Sequence, residues 1–186
     1  MRRRALVAAP AAIIIAATTV AAAPITNHGG RETIGIFDRW GAFADASPQR
    51  CYAIAEPVTA GGAARWRPFA SIATFPDHRP GGAWVGSARP GAGARNQVHV
   101  RLSRARNPQA RVTLSVGERR FDLVASAADA WAPDARTDAA IVSAIRASRS
   151  MSVEALGRSG TPFADVYALR GAATAIDAAA LACLGR

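Results

Sequence analysis

The feature that most limits the fold of this chain is an alternation of apolar and polar side chains in three segments between residues 97 and 125. Val98, Val100 and Leu102 alternate with polar neighbours, and the pattern recurs at 112–116 and 121–124. Successive side chains of a β-strand point to opposite faces, so this period predicts strands with one buried and one solvated face. Strands of this kind are typical of antiparallel sheets.

Turn residues separate these strands. Gly117-Glu118 predicts a hairpin between residues 111–116 and 119–125, and Asn107-Pro108 predicts the turn before it. We therefore expect three sequential strands in a meander. Apolar segments earlier in the chain predict further short strands, at 51–55, at 69–75 and, as one strand or a pair, at 34–43. Period two returns later in the chain at 151–155 and 166–169, which predicts two more strands.

The apolar period changes to that of a helix in two places. Asp134–Ser148 carries apolar residues at spacings of one, three and four, with Asp134 and Asp138 placed to cap its start. Thr174–Leu184 predicts a second helix, in which Thr174 and Asp177 resemble a capping box.

About seven to nine short strands and two short helices favour a mainly β fold, a β-rich α+β class. We expect an antiparallel sandwich or curved sheet, with the helices packed against one face or end. Residues 34–186 are expected to form this single domain.

The amino-terminal segment resembles a bacterial secretory signal peptide. Arg2–Arg4 form a positive region, Ala5–Val20 is apolar, and three alanines follow. We predict cleavage of residues 1–22, with residues 23–33 as a flexible leader, and hence a periplasmic or secreted location. The alternative is an uncleaved anchor in the inner membrane, although Pro10 interrupts the apolar run and shortens it.

The two cysteines of the chain are Cys51 and Cys183. A pair of cysteines in an exported chain predicts one disulfide, which here would tie the start of the domain to its end. The alternative is two buried free thiols. A zinc site is disfavoured, because the pair lacks short ligand spacing and no histidine lies near either cysteine in the sequence.

Charge restricts the classes of partner. All 23 basic residues are arginine and the formal net charge is +10. The arginines are scattered and are not interleaved with aromatic residues, so we expect no nucleic-acid binding. An acidic envelope or cell-surface component, or an unknown protein, is the partner that we expect.

The stretch from Asp77 to Arg95 is rich in Pro, Gly and Ala and predicts the longest loop. Long loops in compact domains are often functional. We therefore select Trp84, with Arg79 and Arg89, as a candidate partner surface. The alternative is that Trp84 packs the loop onto the core.

No motif in the sequence predicts catalysis or a cofactor. The three histidines, His28, His78 and His99, are far apart, and no serine lies in a G-x-S-x-G elbow. Cys51 and Cys183 are assigned to the disulfide rather than to a nucleophile. The carboxylates between 122 and 138 lack the spacing of a calcium loop. We expect neither enzyme activity nor a metal. The competing hypothesis is a hydrolase site assembled from Asp129, Asp134 or His99.

Four segments, taken in order, resemble the invasion-associated locus B family of alphaproteobacterial exported proteins. They are Trp40-Gly41-Ala42-Phe43 with Arg50-Cys51-Tyr52-Ala53, Val112–Gly117 with Arg120–Leu123, Ala139–Val142 through Ile145-Arg146 to Met151–Val153, and Tyr167–Gly171 with Ala175-Ile176. The resemblance implies an exported, non-catalytic, β-rich protein and supplies no catalytic residues. Family members commonly carry more cysteines than this chain, so the disulfide pattern of the family carries over only in part.

Overall fold

The structure is a computed structural model that describes residues 30–62, 66–76 and 95–184. Several sequence predictions fall on other residues. The signal peptide, the leader up to residue 29, His28, His78, and the candidate surface of Trp84, Arg79 and Arg89 all lie outside the described residues.

The described ranges contain ten strands and two helices. They are β1 Arg31–Phe37, β2 Trp40–Ala46, β3 Gln49–Ala55, β4 Phe69–Thr74, β5 Gln97–Arg101, β6 Val112–Val116, β7 Arg119–Ala125, β8 Asp129–Trp131, α1 Ala135–Ala147, β9 Ser150–Leu156, β10 Pro162–Ala168 and α2 Ala172–Leu184.

All ten strands join one antiparallel sheet in the order β1-β2-β3-β4-β5-β8-β7-β6-β9-β10. The predicted mainly β class with two helices is confirmed, with one strand more than the upper expectation. β1 begins at Arg31, so the last three residues of the predicted leader belong to the sheet.

The predicted meander is wrong in one respect. The hairpin of β6 and β7 around Gly117 forms as expected, but β5 does not pair with β6. The short strand β8 pairs with β5 on one side and with β7 on the other. The connection between β5 and β6 is instead bonded to the end of β7 and the loop after it, because the Arg106 guanidinium donates hydrogen bonds to the carbonyls of Ala125 and Ser126.

One core lies between the sheet and the helices. Helix α2 packs on β1 to β4, and α1 packs on β5 to β7. The sheet also folds back on itself. Trp40 Nε1 on β2 donates to the carbonyl of Ala168 on β10 at 2.9 Å. The buried Asp165 of β10 accepts from the amides of Gly61 and Ser103, at 2.9 and 2.8 Å. Each carboxyl oxygen of this core residue thus accepts a hydrogen bond from a backbone amide, which offsets the cost of burial.

Helix α1 begins as predicted. Asp134 is its N-cap and accepts a hydrogen bond from the amide of Thr137 at 2.7 Å. The capping role predicted for Asp138 is wrong, because its side chain is buried against the sheet and accepts from the amide of Val98 at 2.8 Å.

Helix α2 begins two residues earlier than predicted, so Thr174 lies within the helix and does not cap it. The start is set by Gly171, whose φ is +84° and where a Cβ would overlap the carbonyl oxygen of Phe37. Only glycine tolerates this conformation and this approach together. Asp177 binds Arg146 of α1 instead of completing a capping box.

The predicted disulfide is present. Cys51 of β3 and Cys183 of α2 are bonded, with their Cα atoms 5.8 Å apart. Both cysteines are buried, so the bond fastens the end of α2 to the sheet inside the core. In the described part of the chain, no helix has the length and apolarity needed to cross a bilayer.

Candidate functional site

A cluster of aromatic and charged side chains lies on the outer face of the sheet, opposite the two helices. Strand register places it there, since Ser71, His99 and Trp131 are direct neighbours on β4, β5 and β8. Because alternate residues share a face, the outer face also receives Phe69, Arg101 and Asp129. We call the following set the outer cluster: Trp66, Phe69, His99, Arg101, Asp129 and Trp131.

His99 is the centre of the outer cluster. Its Nε2 lies 2.9 Å from Asp129 Oδ1. Its ring stacks on Trp131 with centroids 4.9 Å apart and planes 4° from parallel. Phe69 meets the same imidazole edge-on at 5.1 Å. A carboxylate and two aromatic rings therefore fix the position and orientation of the histidine.

The environment keeps this histidine neutral. Burial lowers the pKa of His99 below its ordinary value, and the hydrogen bond with Asp129 offsets this only in part. The ring is therefore uncharged at pH 7. Because Nε2 faces a carboxylate, we place the single proton there, which leaves Nδ1 as a hydrogen-bond acceptor. Ser71 lies across from His99, yet within the described residues no hydrogen bond joins the two side chains.

Arg101 forms the polar border of the outer cluster. Its Nη1 lies 3.7 Å from Asp129 Oδ1, and its guanidinium lies 5.7 Å from the centre of the Trp66 ring. Trp66 is itself fixed, because its Nε1 donates to the carbonyl of Leu102 at 2.8 Å. The buried Nε of Arg101 has no hydrogen-bond partner within the described residues.

A second network on the same face joins the first three strands. Asp45 accepts from Arg31 Nε at 2.8 Å, from Arg50 Nη2 at 2.8 Å and from the Tyr52 hydroxyl at 3.3 Å. Burial alone would raise the pKa of Asp45, but the hydrogen bonds from the two arginines outweigh it and hold that pKa below its ordinary value. Phe43 packs beside the buried Tyr52, whose ring lies under the guanidiniums of Arg31 and Arg50.

The three residues of the hydrolase hypothesis separate into two places. His99 and Asp129 converge, whereas Asp134 is exposed at the start of α1, where the amide of Thr137 holds its carboxylate and lowers its pKa. Asp122 lies exposed on the outer face of β7. Nowhere in the described ranges do three or more His, Cys, Asp or Glu side chains converge to hold a metal ion.

Two cavities open elsewhere on the surface. One, of about 600 Å³, lies along the β9–β10 hairpin and is lined by Glu154, Leu156 and Phe163. The other, of about 660 Å³, lies beside the end of α2 and is lined by Phe75, Leu181 and Leu184. No residue of the outer cluster lines either of these two cavities.

Comparison with known proteins identifies a related fold. No protein-family model matches the chain, and no curated protein matches it. The crystal structure of invasion associated protein B from Bartonella henselae superposes with a TM-score of 0.52 and 13% sequence identity, over 83% of this chain and 99% of that one. At this identity the match shows a shared fold. It agrees with the fold that the resemblance in the sequence implied.

Proposed function

We propose that this chain is an exported, non-catalytic binding protein that acts in the periplasm or outside the cell. The observation that carries the proposal is the disulfide between Cys51 and Cys183. Structural disulfides persist in oxidising compartments and are rare in the bacterial cytosol. The signal-peptide pattern of residues 1–22 independently supports the same cellular location.

We assign recognition to the outer cluster. Aromatic and arginine side chains are enriched where proteins bind one another, and this face carries both without a helix over it in the described residues. Val124, the cross-strand neighbour of Trp131, is 60% exposed and extends the apolar part of the surface. The partner that we propose is a protein of the envelope or of a host. The structural neighbour is named as an invasion associated protein. From that name we take only the proposal that this chain binds another protein.

Two observations support a role without chemistry. The His99 ring is held by aromatic packing, since it stacks on Trp131 and meets Phe69 edge-on. Asp134, the third residue of the hydrolase hypothesis, caps α1 instead of joining His99 and Asp129.

The test of export is the intact mass of the protein from its own exported fraction, before and after reduction and alkylation. We expect a mass that lacks residues 1–22, with no cysteine alkylated until the disulfide is reduced. A full-length mass with two alkylated thiols would contradict both claims, and would favour a protein that is anchored in the inner membrane.

The test of the binding face is site-specific photo-crosslinking in the exporting cell. A photoreactive residue at Val124 should give a discrete adduct, which Trp131→Ala should abolish. Leu156 on β9 is the matched control, because it is exposed on the same outer face and lies two strands beyond the strand that carries Val124. Identical adducts from Val124 and Leu156 would refute the assignment.

One observation favours a second candidate, a hydrolase. His99 and Asp129, two of the three residues that the hypothesis names, do converge at 2.9 Å. The hypothesis also requires that they do so in a pocket. The purified protein should be assayed with chromogenic esters and glycosides, alongside His99→Gln. Turnover that is lost in the variant would establish the hydrolase and overturn the non-catalytic role.

A further inference from the structure

Four chain connections meet at one end of the sheet. The β1–β2 turn touches the junction before α2, since Arg170 Nε lies 2.9 Å from Asp38 Oδ2 and Gly171 packs on Phe37. The segment between β10 and α2 is in turn hydrogen-bonded to the segment between α1 and β9, because the amide of Leu169 donates to the carbonyl of Arg149 at 2.9 Å.

The fourth connection is the β6–β7 turn, where a Cβ on Gly117 would lie 2.8 Å from Ser148 Oγ. We call the following residues the basic rim: 38–39, 117–120, 148–149 and 170–171.

The basic rim has an excess of positive charge that the molecule does not neutralise. It carries five arginines against two carboxylates, Asp38 and Glu118. Arg39, Arg120 and Arg149 are exposed, and none of them has a side-chain hydrogen bond or ion pair within the described residues. Elsewhere on the surface many arginines are engaged. Arg67 pairs with Glu56, and Arg106 binds backbone carbonyls.

Helix ends do not change the sign of this charge. The amino end of α2 and the carboxyl end of α1 both lie at the basic rim, so their dipoles offset each other there. The arginine side chains therefore decide the local potential.

The shape of the basic rim favours a flat partner. Its residues lie at the tips of turns and junctions, and neither cavity described above is lined by them. Ile36, on β1 two residues before Asp38, is 66% exposed. Separated cations beside an exposed apolar side chain are the features with which proteins bind the surface of an anionic bilayer.

We infer that the basic rim binds the headgroups of an anionic phospholipid bilayer and holds the protein at a membrane surface. This inference rests on the proposed role outside the cytoplasm and names a second contact for it. It leaves the outer cluster, on the face of the sheet, free for a protein partner.

The experiment is co-sedimentation of the exported protein with vesicles. Vesicles of phosphatidylglycerol mixed with phosphatidylcholine are compared with phosphatidylcholine alone, at low ionic strength. We expect binding to the first and not to the second. In the variant Arg39→Gln/Arg120→Gln/Arg149→Gln, the partition coefficient should fall about a hundredfold, since each arginine near an anionic surface contributes about a factor of five.

The matched control is Arg111→Gln/Arg136→Gln/Arg158→Gln. It removes the same charge from exposed sites at the other ends of β6, α1 and β9, and it should keep binding within a few-fold of the parent. Thermal unfolding of both variants checks that they fold.

Three outcomes would overturn the inference. They are equal losses in the two variants, equal binding to neutral vesicles, or no binding to anionic vesicles together with retention on a soluble acidic polysaccharide. The assay uses purified protein and does not depend on export, so its failure is distinct from failure of the mass experiment.

Discussion

Asp138 offers a quantitative test of how the helix and sheet pack. Its side chain enters the core from the first turn of α1, is 8% exposed, and accepts one hydrogen bond from the amide of Val98. Burial raises the pKa of Asp138 to about 6, the hydrogen bond opposes this, and the charge of Asp134 adds to it. The carboxylate therefore destabilises the folded state wherever it is ionised.

The sign of the pH dependence follows from this shift. The ordinary pKa of an aspartate is 3.8, so the folded protein binds the proton more tightly than the unfolded chain. Stability is fully retained below about pH 4 and falls as the pH rises from about 4 to about 6. A difference of about two pKa units at about 1.4 kcal/mol per unit sets a ceiling of about 3 kcal/mol. Residual solvent screening reduces the expected value to about 1–3 kcal/mol.

Asp138→Asn isolates this effect. The amide oxygen can still accept from Val98, while the charge is absent at every pH. The free energy of unfolding of variant and parent should be measured by urea denaturation at pH 4 and pH 7.5. Relative to the parent, the variant should gain about 1–3 kcal/mol between the two pH values. Asp122→Asn, at an exposed site on β7, controls for replacing any carboxylate. A difference for Asp138→Asn that does not change with pH would refute the reasoning.

Three further predictions concern stability. Reduction of the bond between Cys51 and Cys183 should lower the free energy of unfolding by about 2–5 kcal/mol, as measured by urea denaturation with and without reductant. Asp45→Asn should cost about 1–2 kcal/mol at pH 7, because Asp45 loses its charge-assisted hydrogen bonds from two partly exposed arginines. The pKa of Asp45 is lowered in the fold, so this cost should persist down to about pH 4 and decline as the pH falls further, which an acid titration of both proteins would show. Gly171→Ala should lower stability by more than about 3 kcal/mol, because its Cβ would overlap the carbonyl of Phe37, and a thermal melt would reveal it.

Local patterns in the sequence were sufficient for the longer strands, for the existence of both helices and for the disulfide. The alternation around Val98 and Val112 places these residues in the core, and Gly117 turns the β6–β7 hairpin. What the sequence could not predict is which strands become neighbours. Strand β8 has three residues, too few for a period to be recognised, yet it separates β5 from the strands that follow it in the sequence.

The candidate site could not be located from the sequence for the same reason, because the order of the strands decides which outer-face residues become neighbours. The outward positions of His99 and Arg101 follow from period two, and the sequence had grouped His99 with Asp129 and Asp134 in the hydrolase hypothesis. The register of β5 and β8 brings His99 and Asp129 together, whereas Asp134 lies at the start of α1. The burial of Asp165 was also not predicted. A carboxylate can be assigned to the core only when the backbone amides that donate to it are known, and here they come from distant segments of the chain.

Helix α2 links the two parts of the functional proposal, and its geometry keeps their tests independent. It begins at the basic rim with Gly171 packed directly on the end of β1, and it ends at the disulfide with β3. A helix of 13 residues spans about 20 Å, so the two ends are held by separate contacts. The contact of Gly171 with β1 does not depend on the disulfide. Reduction should therefore lower the stability of the fold without displacing Arg39 and Arg149 from the basic rim. Reduced protein that is still folded should therefore bind anionic vesicles as the oxidised protein does. Loss of vesicle binding on reduction, with the fold intact, would show that the disulfide maintains the geometry of the basic rim. Disulfide formation and membrane binding would then not be independent.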